Sequence, residues 1–170
     1  MHDDRVTIRT LAILRHAKAD NPLGVADIDR PLTPRGHADA TVAGAWLNNH
    51  AIAPDLVICS PSRRTRETWH GVALGLGAAP VVIYERAVYT GDVDDLMSLV
   101  TEIDDTMPTV VLIGHNPGVS QLSARLDPKR ADSEGLRTCG LAVHRLDAPW
   151  TSWSHTEAPL VSSHTARAEA

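Results

Sequence analysis

Five short apolar runs are spaced along the chain, and longer amphipathic stretches lie between them. Runs that are apolar at consecutive positions are typical of strands buried on both faces of a parallel sheet. We therefore predict strands at residues 8–14, 56–59, 81–84, 109–113 and 140–146. The stretches between them place apolar residues on one helical face and predict helices at 37–50, 63–76, 94–103 and 119–126.

Helix-start signals support this division of the chain. Thr33 directly precedes Pro34, which is typical of an N-cap followed by the first helical residue. Ser62 and Asp92, or their immediate neighbours, are the corresponding caps of the next two helices. Strands that alternate with helices predict an α/β fold, here a three-layer α/β/α sandwich with a mostly parallel central sheet.

The length and composition are those of an ordinary soluble domain. We assign residues 1–155 to a single domain, because 170 residues suffice to bury one core. Residues 156–170 are mainly Ser, Thr, Ala and Glu, and we predict a flexible C-terminal tail there.

The charge and hydropathy exclude some classes of partner. A net charge of −5 disfavours nucleic acids and anionic membranes as partners. No apolar stretch reaches transmembrane length, and the N-terminus lacks the apolar core of a signal peptide. We therefore expect a cytoplasmic monomer.

Polar residues suited to chemistry follow three of the predicted strands. Arg15 and His16 come directly after the first strand, Arg64 lies shortly after the second, and His115 and Asn116 follow the fourth. The carboxyl ends of parallel strands meet at one edge of a sheet, where ligands bind in open α/β folds. These distant residues are therefore expected to form one site.

The residue types point to the binding and transfer of an anionic group. A neutral imidazole at His16 is a competent nucleophile, although a base or a metal ligand is an alternative role for a histidine at this place. Arginine presents a planar, permanently charged fork that suits phosphate. Seven further histidines lack metal-ligand spacing and are interpreted as surface residues. They are His2, His37, His50, His70, His144, His155 and His164.

Three ordered motifs together resemble the histidine phosphatase superfamily, also called phosphoglycerate-mutase-like. They are Arg15-His16-Ala17, the stretch from Ser60-Pro61 to Thr68, and Ile113-Gly114-His115-Asn116-Pro117. The short chain and the Arg-His-Ala form are most similar to the SixA-type phosphohistidine phosphatase branch.

The resemblance implies a role for each motif residue. His16 would be the nucleophile that takes the phosphoryl group, with Arg15, Arg64 and His115 around it, and no metal or other cofactor is implied. The family pattern Ser-Pro-x-x-Arg-x-x-x-Thr selects Arg64 rather than its neighbour. We expect further substrate contacts from three residues at the rim, namely Lys18, Asn116 and Arg63.

The general acid is the weakest match to the family. Relatives that act on phosphoesters carry Glu or Asp after the third strand, and here Glu85 and Asp92 are the candidates, neither well aligned. An imidazole leaving group, with a conjugate-acid pKa of about 6.5, departs without such help. A phosphorylated protein bearing phosphohistidine is therefore the favoured substrate. The alternatives are a small-molecule phosphoester phosphatase that uses Glu85 or Asp92 as its acid, and a non-catalytic phosphate-binding module.

Overall fold

The computed structural model describes residues 7–169, and its core is a six-stranded sheet. The strands are β1 (Arg9–Arg15), β2 (Leu56–Cys59), β3 (Val81–Tyr84), β4 (Thr109–Gly114), β5 (Gly140–Leu146) and β6 (Leu160–Thr165). Their order across the sheet is β3-β2-β4-β1-β5-β6. The pairs β2–β3, β2–β4 and β1–β4 are parallel, whereas β5 runs antiparallel to β1 and to β6. The predicted, mostly parallel sheet is confirmed.

Helices cover both faces of this sheet. They are α1 (Pro34–Asn49), α2 (Arg63–Leu76), α3 (Arg86–Thr90), α4 (Val93–Thr101) and α5 (Gly118–Leu126). Because side chains alternate across a strand, Ala12 and Leu14 of β1 pack in the cluster that holds α1 and α2. Leu11 and Ile13 pack on the opposite face with α3, α4 and α5. The three-layer α/β/α sandwich is therefore as predicted.

The helices begin at the predicted caps. The Thr33 hydroxyl accepts the Gly36 N–H at 3.0 Å, and the Ser62 hydroxyl accepts the Thr65 N–H. Asp92 forms a reciprocal capping box with Asp95. These side chains satisfy backbone donors that the first turn of a helix leaves without a partner.

The register brings the ends of three strands together at one edge of the sheet. Arg15 of β1 is paired with Gly114 of β4, and the next residue, His16, donates its N–H to the Gly114 carbonyl at 3.0 Å. Ser60, directly after β2, donates its N–H to the Ile113 carbonyl at 3.1 Å. Residues 16, 60 and 115 therefore follow neighbouring strands at the same edge.

The predicted flexible tail is wrong. Residues 160–165 form β6, and the Leu160 N–H donates to the buried Asp127 carboxylate at 2.8 Å. Ala158 and Ala166, on either side of the strand, are fully buried. The strand has few apolar residues of its own, so its order comes from pairing with β5, a contact that local composition does not reveal.

One histidine was assigned wrongly to the surface. His144 on β5 is fully buried, and its two ring nitrogens lie 2.7 Å from the Ser123 hydroxyl and 2.8 Å from the Ala158 carbonyl. Two hydrogen bonds remove most of the cost of burying a neutral imidazole. His2 lies outside the described residues. Over residues 7–169, no helix is both long and apolar enough to cross a membrane.

Candidate active site

His16 stands at the carboxyl end of β1 as a buried, neutral imidazole. Its Nδ1 lies 2.8 Å from the Ala17 carbonyl oxygen, and because a carbonyl only accepts, Nδ1 carries the proton. Nε2 is then left with a free lone pair. Burial lowers the pKa of His16 to about 4, and the positive charges of Arg64 and Arg15 act in the same direction. The ring is therefore uncharged and nucleophilic near neutral pH.

The backbone that carries His16 is fixed by a threonine of α2. The buried Thr68 hydroxyl accepts the Ala17 N–H at 3.0 Å and donates to the Arg64 carbonyl at 2.7 Å. One hydroxyl thus joins the residue after His16 to the helix that carries Arg64. This link gives a physical reason for the threonine four residues after the arginine.

Arg64 lies in the first turn of α2, and its guanidinium is oriented by the loop between β1 and α1. Its Nη1 donates to the Asp27 carbonyl at 2.8 Å, and its Nη2 to the Asp27 carboxylate at 3.1 Å. The Tyr89 hydroxyl donates to the same carboxylate at 2.6 Å. Hydrogen bonds from Tyr89, Arg30 and Arg64 lower the pKa of Asp27 to about 2, so it is ionised. The contact with Asp27 uses two of the five N–H donors of Arg64, and the other three are left for a ligand.

Arg15 is held from the other side of the site. Its Nη1 donates to the Leu136 carbonyl at 3.1 Å, and Asn116 Nδ2 donates to the same oxygen at 2.8 Å. The Ser120 hydroxyl accepts the Leu136 N–H at 2.9 Å and donates to the Asn116 side-chain oxygen. Side chains therefore bind both the N–H and the carbonyl of Leu136, which fixes the peptide groups on either side of this residue. Arg15 Nε is buried without an acceptor among the described residues.

His115 faces His16 across the site. The ring centroids are 5.3 Å apart, and His115 Nε2 lies 2.8 Å from the Ser60 hydroxyl. Burial, together with the positive charge of Arg64, lowers the pKa of His115 to about 3. The ring is therefore a neutral hydrogen-bonding group rather than a cation. Its Nδ1 is buried and has no partner among the described residues.

These side chains surround an open cavity of about 280 Å³. Four cationic side chains line it, together with both histidines and Asn116, and no carboxylate is among the described residues that line it. The cationic residues are Arg15, Lys18, Arg30 and Arg64. Such a cavity suits a small anion. A larger cavity of about 380 Å³, between α5 and the β5–β6 strands, contains none of the histidines or arginines of the three motifs.

The structure brings together six of the nine predicted site residues. Arg63 instead faces Glu67 at 3.5 Å, on another side of α2 from Arg64. Glu85 precedes α3 and does not line the cavity. The Asp92 carboxylate caps α4, and its hydrogen bond from the Asp95 N–H lowers its pKa, which leaves it ionised. Neither carboxyl group is placed to donate a proton to a group bound in the cavity.

Three contributors to the site were missed. Asp27 and Tyr89 act on Arg64 from loop and helix positions that carry no motif. Arg30 holds its own loop through the Asp20 carbonyl at 3.0 Å and also lines the cavity. These three residues are distant from Arg64 in the sequence and come close to the site only in the folded chain.

Comparison with known proteins gives one consistent picture. Residues 11–88 match the family model for the histidine phosphatase superfamily, branch 1. An uncharacterized protein of Mycobacterium tuberculosis is 33% identical over 162 residues, which cover 91% of this chain and 100% of that protein.

Two solved structures extend the comparison. A protein of Nakamurella multipartitia assigned as the phosphohistidine phosphatase SixA is 30% identical, with a TM-score of 0.84 over 95% of this chain and 98% of its own. A mycobacterial glucosyl-3-phosphoglycerate phosphatase shares the fold at 18% identity, with a TM-score of 0.64 over 91% of this chain and 97% of its own.

Proposed function

The chain belongs to the histidine phosphatase superfamily, and from this premise we propose that it is a protein phosphohistidine phosphatase that works through a phosphorylated His16. The observation that carries the proposal is the state of His16. Its Nδ1 proton is held by the Ala17 carbonyl, and its pKa of about 4 keeps Nε2 free to attack. The cationic cavity around it supplies a binding place for the phosphoryl group.

The first step transfers the phosphoryl group from the substrate imidazole to His16. The bond between phosphorus and the substrate nitrogen breaks as the bond between phosphorus and Nε2 of His16 forms. The substrate ring carries a proton on its other nitrogen and therefore leaves as neutral imidazole. Arg15 and Arg64 neutralise the negative charge on the phosphoryl oxygens. Stabilising this charge in the transition state is the main requirement for catalysis of phosphoryl transfer. The Arg15 Nε–H is buried and unpartnered within residues 7–169, so it can donate to a phosphoryl oxygen. His115 Nδ1, likewise buried and unpartnered there, donates to the same group in the tautomer whose Nε2 accepts the Ser60 O–H.

The second step returns the enzyme to its starting state. A water molecule attacks phosphorus, the bond to Nε2 breaks, and inorganic phosphate leaves with the proton that water releases. The Ala17 carbonyl keeps Nδ1 protonated throughout, so His16 alternates between a neutral and a phosphorylated imidazole without changing tautomer. The positive charge that both steps require comes from side chains, and we propose that no metal ion takes part.

The substrate class follows from the missing proton donor. An alkoxide leaving group needs a proton in the transition state, whereas imidazole, with a conjugate-acid pKa of about 6.5, leaves far more readily. Asp27 is the carboxylate nearest the cavity arginines, but its pKa of about 2 keeps it ionised. The geometry therefore favours phosphohistidine over a phosphoester.

The alternative, a small-molecule phosphoester phosphatase, has the support of the fold alone. The mycobacterial glucosyl-3-phosphoglycerate phosphatase shares that fold. Neither Glu85 nor Asp92 reaches the cavity to supply the acid that such a substrate needs. The cytoplasmic location and the monomeric state stay predictions from the sequence.

A direct comparison of substrates tests the proposal. The purified protein is incubated with a histidine-phosphorylated protein and, separately, with the alkyl phosphoester glycerol 2-phosphate, whose alkoxide leaving group needs a proton, and phosphate release is followed for both. We expect a much higher kcat/KM for the phosphohistidine protein, and no turnover by His16→Ala. A higher kcat/KM for the phosphoester would favour the alternative. Tight binding of phosphohistidine protein without turnover would favour a non-catalytic binding module.

A further inference from the structure

The loop formed by residues 20–31, between β1 and α1, is a built part of the rim of the active site. The Asp20 N–H donates to the Pro31 carbonyl at 2.8 Å, which closes the base of the loop. Its middle is held by the contacts of Asp27 with Arg64 and Tyr89. The loop is therefore fastened at its base and at its centre beside the cavity.

This loop exposes apolar side chains next to a charged site. Leu23 is fully exposed (102%), and Val25 and Ile28 are 38% and 39% exposed. A single exposed apolar residue is ordinary, but here three occur within six positions, and Ile28 directly follows the residue that holds Arg64. Exposed apolar groups on a fixed loop beside a substrate cavity are typical of a recognition surface.

The charges of the loop argue for a protein rather than a small phosphate compound on this surface. The Asp29 carboxylate makes no hydrogen bond or ion pair within the described residues, and that of Asp20 accepts only the Asn21 N–H. A small phosphorylated molecule held by the cations of the cavity gains nothing from exposed leucine, and these two carboxylates add no attraction for it. A protein that inserts a phosphohistidine brings neighbouring side chains that must rest on this rim.

We propose that the loop of residues 20–31 is the docking surface for the protein substrate. The partner is a folded domain that surrounds its phosphohistidine with apolar side chains, which cover Leu23, Val25 and Ile28, and with basic ones, which face Asp20 and Asp29. The docking surface rests on the proposed function, because it explains how that function selects a protein. The docking surface contributes contacts with the partner protein around its phosphohistidine and does not change the reaction at His16.

The test compares a protein substrate with the free amino acid that carries the same leaving group. The probes are a folded phosphotransfer domain, phosphorylated on histidine with phosphoramidate, and free N-phosphohistidine. Leu23→Ser and Ile28→Ser each raise the KM for the phosphorylated domain by about tenfold, since each removes apolar surface that the partner covers. The kcat for the domain and the kcat/KM for free N-phosphohistidine stay at the wild-type values.

A matched control uses an exposed leucine far from the loop. Leu74 lies near the last turn of α2 and is 78% exposed. The KM of the Leu74→Ser variant for the phosphorylated domain stays at the wild-type value. The docking surface would be overturned if the loop variants lost activity equally on both probes, if their KM for the domain did not change, or if Leu74→Ser raised that KM as much as they do. Each of these results would leave the proposed function intact. Dimerisation that Leu23→Ser abolishes would also overturn it, because a second copy would then cover the loop. Wild-type protein that turns over neither phosphohistidine probe would overturn the proposed function and the docking surface together.

Discussion

Replacing Thr68 by valine removes the one hydroxyl that joins α2 to the residue after His16. Valine keeps the shape of the side chain, so the change isolates two hydrogen bonds, from the Ala17 N–H and to the Arg64 carbonyl. Ala17 is fully buried, and its N–H would be left without an acceptor. An unsatisfied buried donor costs about 1–3 kcal/mol in the free energy of unfolding. For a chain of this size that corresponds to a fall in Tm of about 2–12 °C.

The same change should also slow catalysis. Thr68 binds the Ala17 N–H, and the carbonyl of the same residue holds the Nδ1 proton of His16, so a shift of Ala17 changes the direction of the attacking Nε2 lone pair. Misplacement of a reacting group costs about 10- to 100-fold in rate, and we expect a loss of kcat in that range for Thr68→Val. The assays are urea unfolding, for the free energy, and turnover of free N-phosphohistidine, for kcat.

Two control variants separate the hydroxyl from the general effects of mutation. Thr68→Ser keeps the hydroxyl and should keep most of the wild-type kcat, although it loses a buried methyl group. Thr101→Val, on α4, removes a hydroxyl that donates only to the Ser98 carbonyl at 2.9 Å, and it should change stability by no more than about 0.5 kcal/mol. A Thr68→Val protein as stable and as active as the wild type would show that this hydroxyl neither stabilises the fold nor positions His16.

Three further predictions concern pH, the support of Arg15, and the last strand. The pKa values of His16 and His115, about 4 and about 3, lie below the unfolded value, so the unfolded chain binds more protons. The stability that the two neutral histidines contribute is fully present above a pH of about 6.5. Below it, the free energy of unfolding should fall by up to about 1.4 kcal/mol per pH unit for each histidine, until the pH reaches that histidine's folded pKa. A free energy of unfolding, measured in urea, that stays constant from pH 6.5 down to about 4 would contradict this prediction. Ser120→Ala removes the acceptor of the Leu136 N–H and loosens Leu136, whose carbonyl orients Arg15, and should weaken competitive inhibition by inorganic phosphate about tenfold, whereas an unchanged inhibition constant would exclude this role. Ending the chain before β6 uncovers the edge of β5 and should cause aggregation, visible by size-exclusion chromatography, and a monomer with unchanged Tm would disprove the need for that strand.

The residues that the sequence could place are those tied to buried strands. Arg15, His16 and His115 follow apolar runs that end at the same sheet edge, so parallel topology alone predicts that they meet. Arg64 was separated from Arg63 only by the spacing of a family pattern. The structure gives the reason, because one residue along a helix turns the side chain by about 100° and sends Arg63 to Glu67 instead.

What the sequence could not place depends on contacts between distant segments. Asp27 is one of several acids in a loop, and nothing local distinguishes the one that reaches Arg64 and Tyr89. Residues 160–165 alternate weakly and are mostly polar, so only their pairing with β5 makes them a strand. Long-range pairing of this kind leaves little trace in composition or periodicity.

In the proposed mechanism, Nε2 of His16 carries the phosphoryl group during turnover. The most direct measurement is rapid quenching in base during hydrolysis of a ³²P-labelled phosphohistidine protein, followed by mapping of the label on the enzyme. We expect a base-stable, acid-labile phosphate on His16, and no label on a His16→Ala protein. Turnover without any labelled enzyme, or label on another residue, would contradict it.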